Sequence, residues 1–254
     1  MPASSRYLRA VLDQIAWVME KQLSAIEKAS EICADTIQKD GLVFTFGTGH
    51  GAFPALEAFP RTGTVTGFRP IVESSLLTMH HVFGDTGTSQ YRFIHKVEGF
   101  GKAILKSHKI ASSDSLILFS HSGINPVIID MALDFAERRL PVIAVTSIPH
   151  SSKVSARHSS NKRLYELADV VIDTGVNSQD AAVSIEGLIR KVGPISTPVA
   201  VAISHAINSR TAEILVERNY EPFIMVNPNT AESNEANLIN DLNYDELWRR
   251  LRDR

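Results

Sequence analysis

A short polar stretch of this sequence could hold an anion. Residues Ser120-His121-Ser122-Gly123-Ile124-Asn125 follow an apolar run at 115–119 and precede a helical pattern over 126–138. Two hydroxyls, an amide and the free N–H groups of a helix start can hold a phosphate without a lysine, because the helix start adds its own positive potential. Serine and asparagine also cap ordinary helices, but their density here favours a ligand site.

A second stretch, Phe46-Gly47-Thr48-Gly49-His50-Gly51, ends the apolar run at 42–46. Its glycines allow a ligand to approach the backbone closely. The same residues also fit a dinucleotide fingerprint, which would indicate a nicotinamide-dependent oxidoreductase. The acidic residue that this alternative needs would be Glu73, which follows Pro70 and falls in a predicted helix instead of at a strand end. Arg69, which could favour a 2′-phosphate, keeps the alternative open.

The histidines offer acid–base groups but no metal pattern. His50 precedes Glu57 by seven residues, which places both on one face of a helix. His80 and His81 are adjacent, so they point in different directions and are predicted to be structural. Strand alternation predicts that the side chain of His121 points away from the two serines. The sequence has no His-x-x-x-His, Cys-x-x-Cys or clustered aspartates, so we expect no metal ion.

Apolar runs that alternate with helical patterns must position these turns. We predict strands over 42–46, 64–68, 115–119, 141–145, 170–172 and 223–226, and helices over 71–81, 90–107, 126–138 and 196–217. Continuous apolar strands between helices are typical of a parallel sheet that is covered on both faces. Ligands bind such sheets at the carboxyl ends of the strands, where both polar stretches are expected to lie.

The two ends of the chain complete a single predicted domain. Apolar residues at steps of three and four predict one long helix that ends near Asp40-Gly41. Because one small core cannot cover so long a helix, we expect it to pack against a second subunit. We divide the domain into an N-terminal helix (1–40), a core (41–226), and a polar tail with a short terminal helix (227–254).

Composition excludes several classes of protein. The 26 basic and 28 acidic residues give a formal net charge of −2, so neither nucleic acid nor an anionic membrane is an expected partner. The longest apolar runs are too short to cross a bilayer, and we find no signal-peptide pattern. The single cysteine, Cys33, has no partner for a disulfide within the chain. We therefore expect a cytoplasmic protein.

The order of these motifs resembles the sugar-isomerase (SIS) domain family over about residues 40–225. The two polar stretches carry the resemblance, together with Val142-Ile143-Ala144-Val145-Thr146-Ser147 and Val192-Gly193-Pro194-Ile195-Ser196-Thr197. The resemblance implies an α/β three-layer sandwich with a five-stranded parallel sheet of flavodoxin-like type. It also implies a phosphosugar ligand, no cofactor, and a homodimer or higher homo-oligomer. Two residues depart from the family pattern: Gly51 replaces a serine and Asn125 a threonine.

The resemblance also assigns roles to individual residues. Glu98, in Val97-Glu98-Gly99, and Glu57 resemble the proton-transferring glutamates of SIS enzymes that remove the lactyl ether from N-acetylmuramic acid 6-phosphate. His50 would contact the phosphate or open the sugar ring. Each glutamate has a basic residue four positions on, so ordinary surface ion pairs are the alternative. The residues expected to bind the phosphosugar are Thr48, Gly49, Ser120, Ser122, Gly123, Asn125, Ser196 and Thr197.

The function that the resemblance implies is phosphosugar chemistry. We expect an isomerase, or a lyase or dehydratase, that acts on an amino-sugar or N-acetylamino-sugar 6-phosphate. Such enzymes move protons next to a carbonyl or a leaving group, which requires a carboxylate base and often a second acid. The alternative is a non-catalytic phosphosugar sensor that acts through a protein partner.

Overall fold

The computed structural model describes residues 1–77, 87–229 and 233–252. Five parallel strands form one sheet, which confirms the predicted α/β class. In chain order they are β1 (Val43–Gly47), β2 (Phe68–Pro70), β3 (Ser115–Ser120), β4 (Val142–Thr146) and β5 (Val170–Asp173). The sheet order is β2-β1-β3-β4-β5. Every residue of β1, β3 and β4 is buried, because helices cover both faces of the sheet.

Helices surround the sheet. They are α1 (Ala3–Lys21), α2 (Leu23–Gln38), α3 (Ala52–Glu57), α4 (Gly87–Ile94), α5 (Phe100–Leu105), α6 (Pro126–Glu137), α7 (Ile148–Ser151), α8 (Ser196–Glu217) and α9 (Ser233–Arg252). Helix α8 packs against α2 and α3, and α6 packs against α5 and against β3 and β4. Among the described residues, no helix is long and apolar enough to cross a membrane.

The N-terminal helical segment is interrupted once. Gln22, with φ −119° and ψ 0°, separates α1 from α2. Its side-chain oxygen accepts a hydrogen bond from the backbone N–H of Asp173 at 3.1 Å, at the end of β5. A tertiary contact to the sheet therefore accompanies the break, which the continuous apolar periodicity does not predict.

The structure differs from the sequence prediction around β2. Gly67, with φ +125°, interrupts the predicted strand at 64–68, so that β2 begins at Phe68, and Val65 forms an isolated antiparallel bridge with Ile224. The predicted strand at 223–226 is reduced to that bridge. Of the predicted helix 71–81, the described part contains only a 3₁₀ turn, Ser74–Leu76. The remainder, with His80 and His81, lies outside the described residues.

Two further helix predictions are corrected. The predicted helix 90–107 is divided between α4 and α5, because Gly99 adopts φ +85° just before α5. Most of the predicted polar tail, including its short terminal helix, belongs to one helix of 20 residues, α9. Buried polar side chains attach α9 to the core: Asn240 bonds both backbone groups of Val226, and Asn243 bonds the carbonyl of Ile224. An apolar periodicity does not reveal polar contacts of this kind.

Candidate functional site

The two predicted polar stretches lie side by side at the carboxyl edge of the sheet. Strands β1 and β3 are neighbours, with Gly47 in register with Phe119, and β2 and β4 flank them on opposite sides. The chain therefore leaves β1 and β3 in opposite directions and opens a crevice between the two turns. In open α/β sheets this switch point is where ligands bind.

The first turn has no space for side chains at Gly47 and Gly51. A Cβ atom at Gly47 would lie 2.0 Å from the carbonyl oxygen of Gly51, and one at Gly51 would lie 2.6 Å from the carbonyl oxygen of Phe119. Both distances are shorter than real Cβ contacts. The close packing of this turn against the end of β3 therefore leaves no room for a serine side chain at Gly51.

The second turn does not use its side chains as ordinary helix caps. Asn125 precedes α6 in an extended conformation, but its side chain makes no capping hydrogen bond. Its Oδ1 atom instead accepts a hydrogen bond from Nη1 of Arg157 at 3.1 Å. Ser120 Oγ accepts from the N–H of Gly123 at 3.1 Å, which closes the turn around the positive φ (+60°) of Gly123. These hydrogen bonds of Ser120 and Asn125 differ from those expected if the two side chains simply capped α6.

A small cleft, with a cavity volume of about 20 Å³, opens between the turns and the start of α8. It brings together Ser120, Ser196, Thr197 and His50 from the predicted site. Thr48 and Gly49 lie in the adjoining first turn, and Ser122, Gly123 and Asn125 continue the second turn beyond the lining. Sequence reasoning did not assign the other lining residues to the site: Gly51, Pro54, Phe119, His121, Val145, Thr174 and Ala200.

Ser196 is engaged by a residue that the sequence did not indicate. Its hydroxyl donates to Oδ2 of Asp180 at 2.5 Å, and its backbone N–H donates to Oδ1 at 2.7 Å. The N–H of Ile195 donates to the same Oδ1 atom at 3.1 Å. Asp180 thus places a negative charge at the N-terminus of the 22-residue α8, where the helix dipole favours it. Ser196 supports this carboxylate, and Thr197 beside it lines the cleft.

His50 and His121 line the cleft, and His150 packs against His121. The rings of His121 and His150 stack with centroids 4.9 Å apart, and His50 lies 6.4 Å from His121. The expectation that His121 points away from the serines is wrong, because His121 lines the same cleft as Ser120. Residue 121 already belongs to the turn, so the alternation of β3 no longer applies.

Several buried polar atoms of this cluster have no hydrogen-bond partner among the described residues. Neither ring nitrogen of His121 has a hydrogen-bond partner among the described residues, and the same holds for Nδ1 of His150 and Oγ1 of Thr174. The backbone of Asn177 interacts with the His121 ring without reaching hydrogen-bond geometry. Buried polar atoms normally have partners, so ligand or water must supply them here. Within the described residues, no group of three or more His, Cys, Asp or Glu could hold a metal ion.

Burial lowers the pKa of His121 to about 4 from an ordinary value of 6.5, and the charge of Asp180 opposes this shift. Between pH 4 and pH 6.5 the imidazole of His121 is protonated in the unfolded chain but not in the folded protein. Stability should therefore fall as the pH falls from 6.5 to 4, by up to about 1.4 kcal/mol per pH unit from this residue. We predict a shallower dependence for His121→Asn, measured by urea unfolding at pH 4.5, 5.5 and 7. Equal slopes for both proteins would contradict the assignment, since His50, His150 and Asp180 remain in each.

The predicted glutamates lie outside the cleft lining. Glu57 Oε1 accepts from Nε of Arg61 at 2.8 Å and lies 3.7 Å from Nε2 of His205, so the surface ion pair is present. Glu98 accepts hydrogen bonds from Ser159, whereas Lys102, its partner in the ion-pair alternative, bonds Glu137.

Glu73, the acidic residue that the dinucleotide alternative requires, also forms hydrogen bonds within the protein. Glu73 uses Oε1 to accept hydrogen bonds from the backbone N–H and the hydroxyl of Ser75, at 3.0 and 2.6 Å. It therefore caps a 3₁₀ turn instead of projecting from the end of β2. This geometry disfavours a nicotinamide cofactor.

These features define a doubly wound α/β domain with a hydroxyl-rich turn at its switch point, and comparisons with known proteins place it in a family. A model of the SIS domain matches residues 6–147. The chain is 37% identical over 217 residues to a UPF0309 protein of Oceanobacillus iheyensis, covering 85% of this chain and 86% of the relative. It is 32% identical over 229 residues to a UPF0309 protein of Halalkalibacterium halodurans, covering 90% and 91%. The chain therefore belongs to the SIS domain family and, within it, to the UPF0309 proteins.

Solved structures agree on the fold. The phosphoheptose isomerase GmhA from Neisseria gonorrhoeae superposes with a TM-score of 0.53 at 14% identity, covering 83% of this chain and 97% of that one. A phosphoheptose isomerase from Francisella tularensis gives the same TM-score and identity, with coverage of 84% and 100%. At this identity, the likeness bears on the fold alone.

Proposed function

We propose that the cleft binds a phosphosugar, with its phosphate on the Ser120–Asn125 turn. The observation that carries this proposal is that the polar side chains of the turn do not cap α6. Ser120 Oγ accepts one hydrogen bond, and no acceptor for its hydroxyl proton lies among the described contacts. The hydroxyls of Ser122 and Thr48 and the backbone of Gly49 and Gly123 would complete the phosphate site. Membership of the SIS family and the names of the structural neighbours support a sugar phosphate as the ligand.

The proposed reaction is isomerisation, or lyase or dehydratase chemistry, on an amino-sugar or N-acetylamino-sugar 6-phosphate. In each case a base removes a proton from a carbon next to a carbonyl or a leaving group. Of the three predicted proton-transfer residues, His50 lines the cleft, whereas Glu57 and Glu98 do not. His50 is therefore the first candidate for acid–base work. Glu57, which lies one helical turn beyond the lining residue Pro54, is the second.

The experiment is incubation of the purified protein with hexosamine and N-acetylhexosamine 6-phosphates. Proton NMR would detect ketose, and ultraviolet absorbance would detect an enone. We expect turnover of at least one sugar phosphate and its loss in His50→Ala. His108→Ala is the control, because this histidine packs against Phe44 and lies outside the cleft lining. A folded protein that neither binds nor converts any sugar phosphate would contradict the proposal.

A non-catalytic sensor is the second candidate, and a specific observation favours it. Both predicted carboxylates are engaged by other side chains outside the cleft lining. A sensor predicts that a sugar phosphate raises the thermal midpoint without turnover, because a ligand selective for the folded state stabilises it. The same panel, followed by thermal unfolding, separates the two candidates.

Self-association belongs to the same proposal. Helix α1 exposes Leu8, Leu12 and Met19 to solvent by 63%, 58% and 60%. A second copy of the chain covering this face would form the expected homodimer, which light scattering after size-exclusion chromatography would detect.

The balanced charge and the single cysteine support a cytoplasmic location, without nucleic acid, membrane or cofactor as partners.

A further inference from the structure

The loop 154–163 is attached to the phosphate turn at two points. Nη1 of Arg157 donates to the side chain of Asn125 at 3.1 Å. The backbone N–H of Leu164, at the end of the loop, donates to the carbonyl of Gly123 at 2.8 Å. The loop also closes on itself, since Nη2 of Arg163 donates to the carbonyl of Val154 at 2.9 Å. Arg157 is thereby held beside the turn in which Ser120, Ser122 and Asn125 lie.

A buried carboxylate anchors the middle of the loop. The backbone N–H of Ser160 donates to Nδ1 of His158 at 3.0 Å, so the ring proton is assigned to Nε2, which lies 3.3 Å from Oδ1 of Asp130. Asp130 on α6 is 2% exposed, and its Oδ2 accepts from the N–H groups of Gly99 and Gly101 at 2.7 and 3.1 Å. One carboxylate therefore joins the loop, α6 and the segment that precedes α5.

Glu98 supplies the second anchor. Its Oε1 accepts from the backbone N–H of Ser159 at 2.7 Å, and its Oε2 accepts from the hydroxyl of Ser159 at 2.6 Å. The Ser159 hydroxyl, followed by its N–H, holds the pKa of Glu98 below its ordinary value. A carboxylate with both oxygens engaged in this way stays ionised and acts as an acceptor. Such contacts suit attachment of a loop and do not suit proton transfer.

Arg157 is the residue that this framework positions. The turn 120–125 contains no lysine or arginine, and Asn125 uses one of the five N–H donors of the guanidinium. Burial is the largest cause of the lowered pKa of His150, and the charge of Arg157 adds to it. The guanidinium is therefore within electrostatic range of the histidine that stacks on His121 in the cleft. A guanidinium suits phosphate recognition because its planar donors match two phosphate oxygens at once.

We propose that Arg157 is a ligand of the bound phosphate, and that Glu98 is a positioning residue that holds the Arg157 loop against the phosphate turn. The inference rests on the proposed function and deepens it. The phosphate site then combines neutral hydroxyls from the turn with one cation from the loop, and Asn125 bridges the two. Glu98, predicted from the sequence to transfer protons, acts here through Ser159 and Arg157.

The test is titration of inorganic phosphate into the full-length protein by calorimetry. We expect Arg157→Gln to weaken phosphate binding by about tenfold to a hundredfold, the range for a hydrogen-bonded charged group. Arg157→Lys should recover only part of the affinity, since it keeps the charge but lacks the planar donors. Lys153→Gln removes an exposed charge from the neighbourhood of the same loop and should bind like the wild type.

A double-mutant cycle tests the role of Glu98. We expect Glu98→Gln to weaken phosphate binding, and Glu98→Gln with Arg157→Gln to bind no more weakly than Arg157→Gln alone, because both changes remove the same contact. Ser159→Ala, which removes one partner of Glu98, should give the same pattern if the glutamate variant does not fold. Additive losses would overturn the positioning role.

Failure of this inference is distinguishable from failure of the proposed function. If wild type and Arg157→Gln bind phosphate equally, Arg157 is not a ligand, while the proposed phosphate site stands. If the folded wild type binds neither inorganic phosphate nor any sugar phosphate of the panel, both are wrong. Turnover that falls in Glu98→Gln while phosphate affinity stays unchanged would restore Glu98 to a proton-transfer role and overturn the inference.

Discussion

Replacing Ser120 and Ser122 together by alanine is expected to weaken phosphosugar binding by at least about a hundredfold. Each hydroxyl can donate to a phosphate oxygen, and a hydrogen bond to a charged group contributes about 1.5–3 kcal/mol. Two such losses amount to about 3–6 kcal/mol, and every 1.4 kcal/mol is a factor of ten in Kd. Calorimetric titration with the sugar 6-phosphate that most stabilises the wild type measures the effect.

The controls separate binding from folding. Ser152→Ala with Ser209→Ala removes two exposed hydroxyls outside the cleft lining and should leave Kd unchanged. Ser120→Ala also deletes the acceptor for the N–H of Gly123, so we expect it to cost about 1 kcal/mol of stability. Urea unfolding measures that cost separately. Unchanged affinity in the folded double variant would show that the phosphate does not bind on this turn.

The second large effect is expected from Arg250→Ala, with a loss of about 3–5 kcal/mol in the free energy of unfolding. Arg250 is 2% exposed, and its Nη1 atom donates to the carbonyls of Ile37 and Gly41, both at 3.0 Å. Its Nε donates to Glu246 and its Nη2 to the hydroxyl of Tyr220, at 2.8 and 2.9 Å. Removing the guanidinium leaves these groups without this donor, which is more costly than losing a surface ion pair.

Arg249 provides a matched control on the same helix. It also pairs with Glu246, through Nε at 2.8 Å, but its side chain is 42% exposed. Arg249→Ala makes the same change of charge and should cost no more than about 1 kcal/mol, because solvent screens exposed pairs. Urea unfolding of both variants at pH 7 compares them. Equal losses in the free energy of unfolding for the two variants would mean that the burial of Arg250 does not account for its contribution to stability.

The parts of the fold that were predicted correctly are those that local patterns dictate. Strands β1, β3, β4 and β5 are read from continuous apolar runs, because a strand covered on both faces has no polar side. Helices α6 and α8 begin next to proline and serine residues and continue with apolar residues at helical spacing. Turns that combine glycine with hydroxyls at strand ends then indicated an anion site, and the parallel sheet brings both turns to one edge.

The errors fall where distant contacts override local patterns. Nothing near Asn240 or Asn243 indicates that their amides bond the backbone at 224–226, so α9 reads as a polar tail. A single glycine at 67 displaces β2 from its predicted position. The ion pair between Glu98 and Lys102, which the sequence offered as the alternative to a catalytic role, is replaced by contacts 61 residues away in the sequence, at Ser159.

The hydroxyl-rich turn, its glycine and the strand that carries it were determined by the sequence itself, because each depends on neighbours within a few residues. Only the tertiary structure decided which residues share the cleft with that turn. His150 stacks on His121 because β3 and β4 are adjacent, and Asp180 reaches Ser196 because a loop of 15 residues closes between them. Such contacts depend on where the sheet places its loops, and spacing along one sequence does not contain that information.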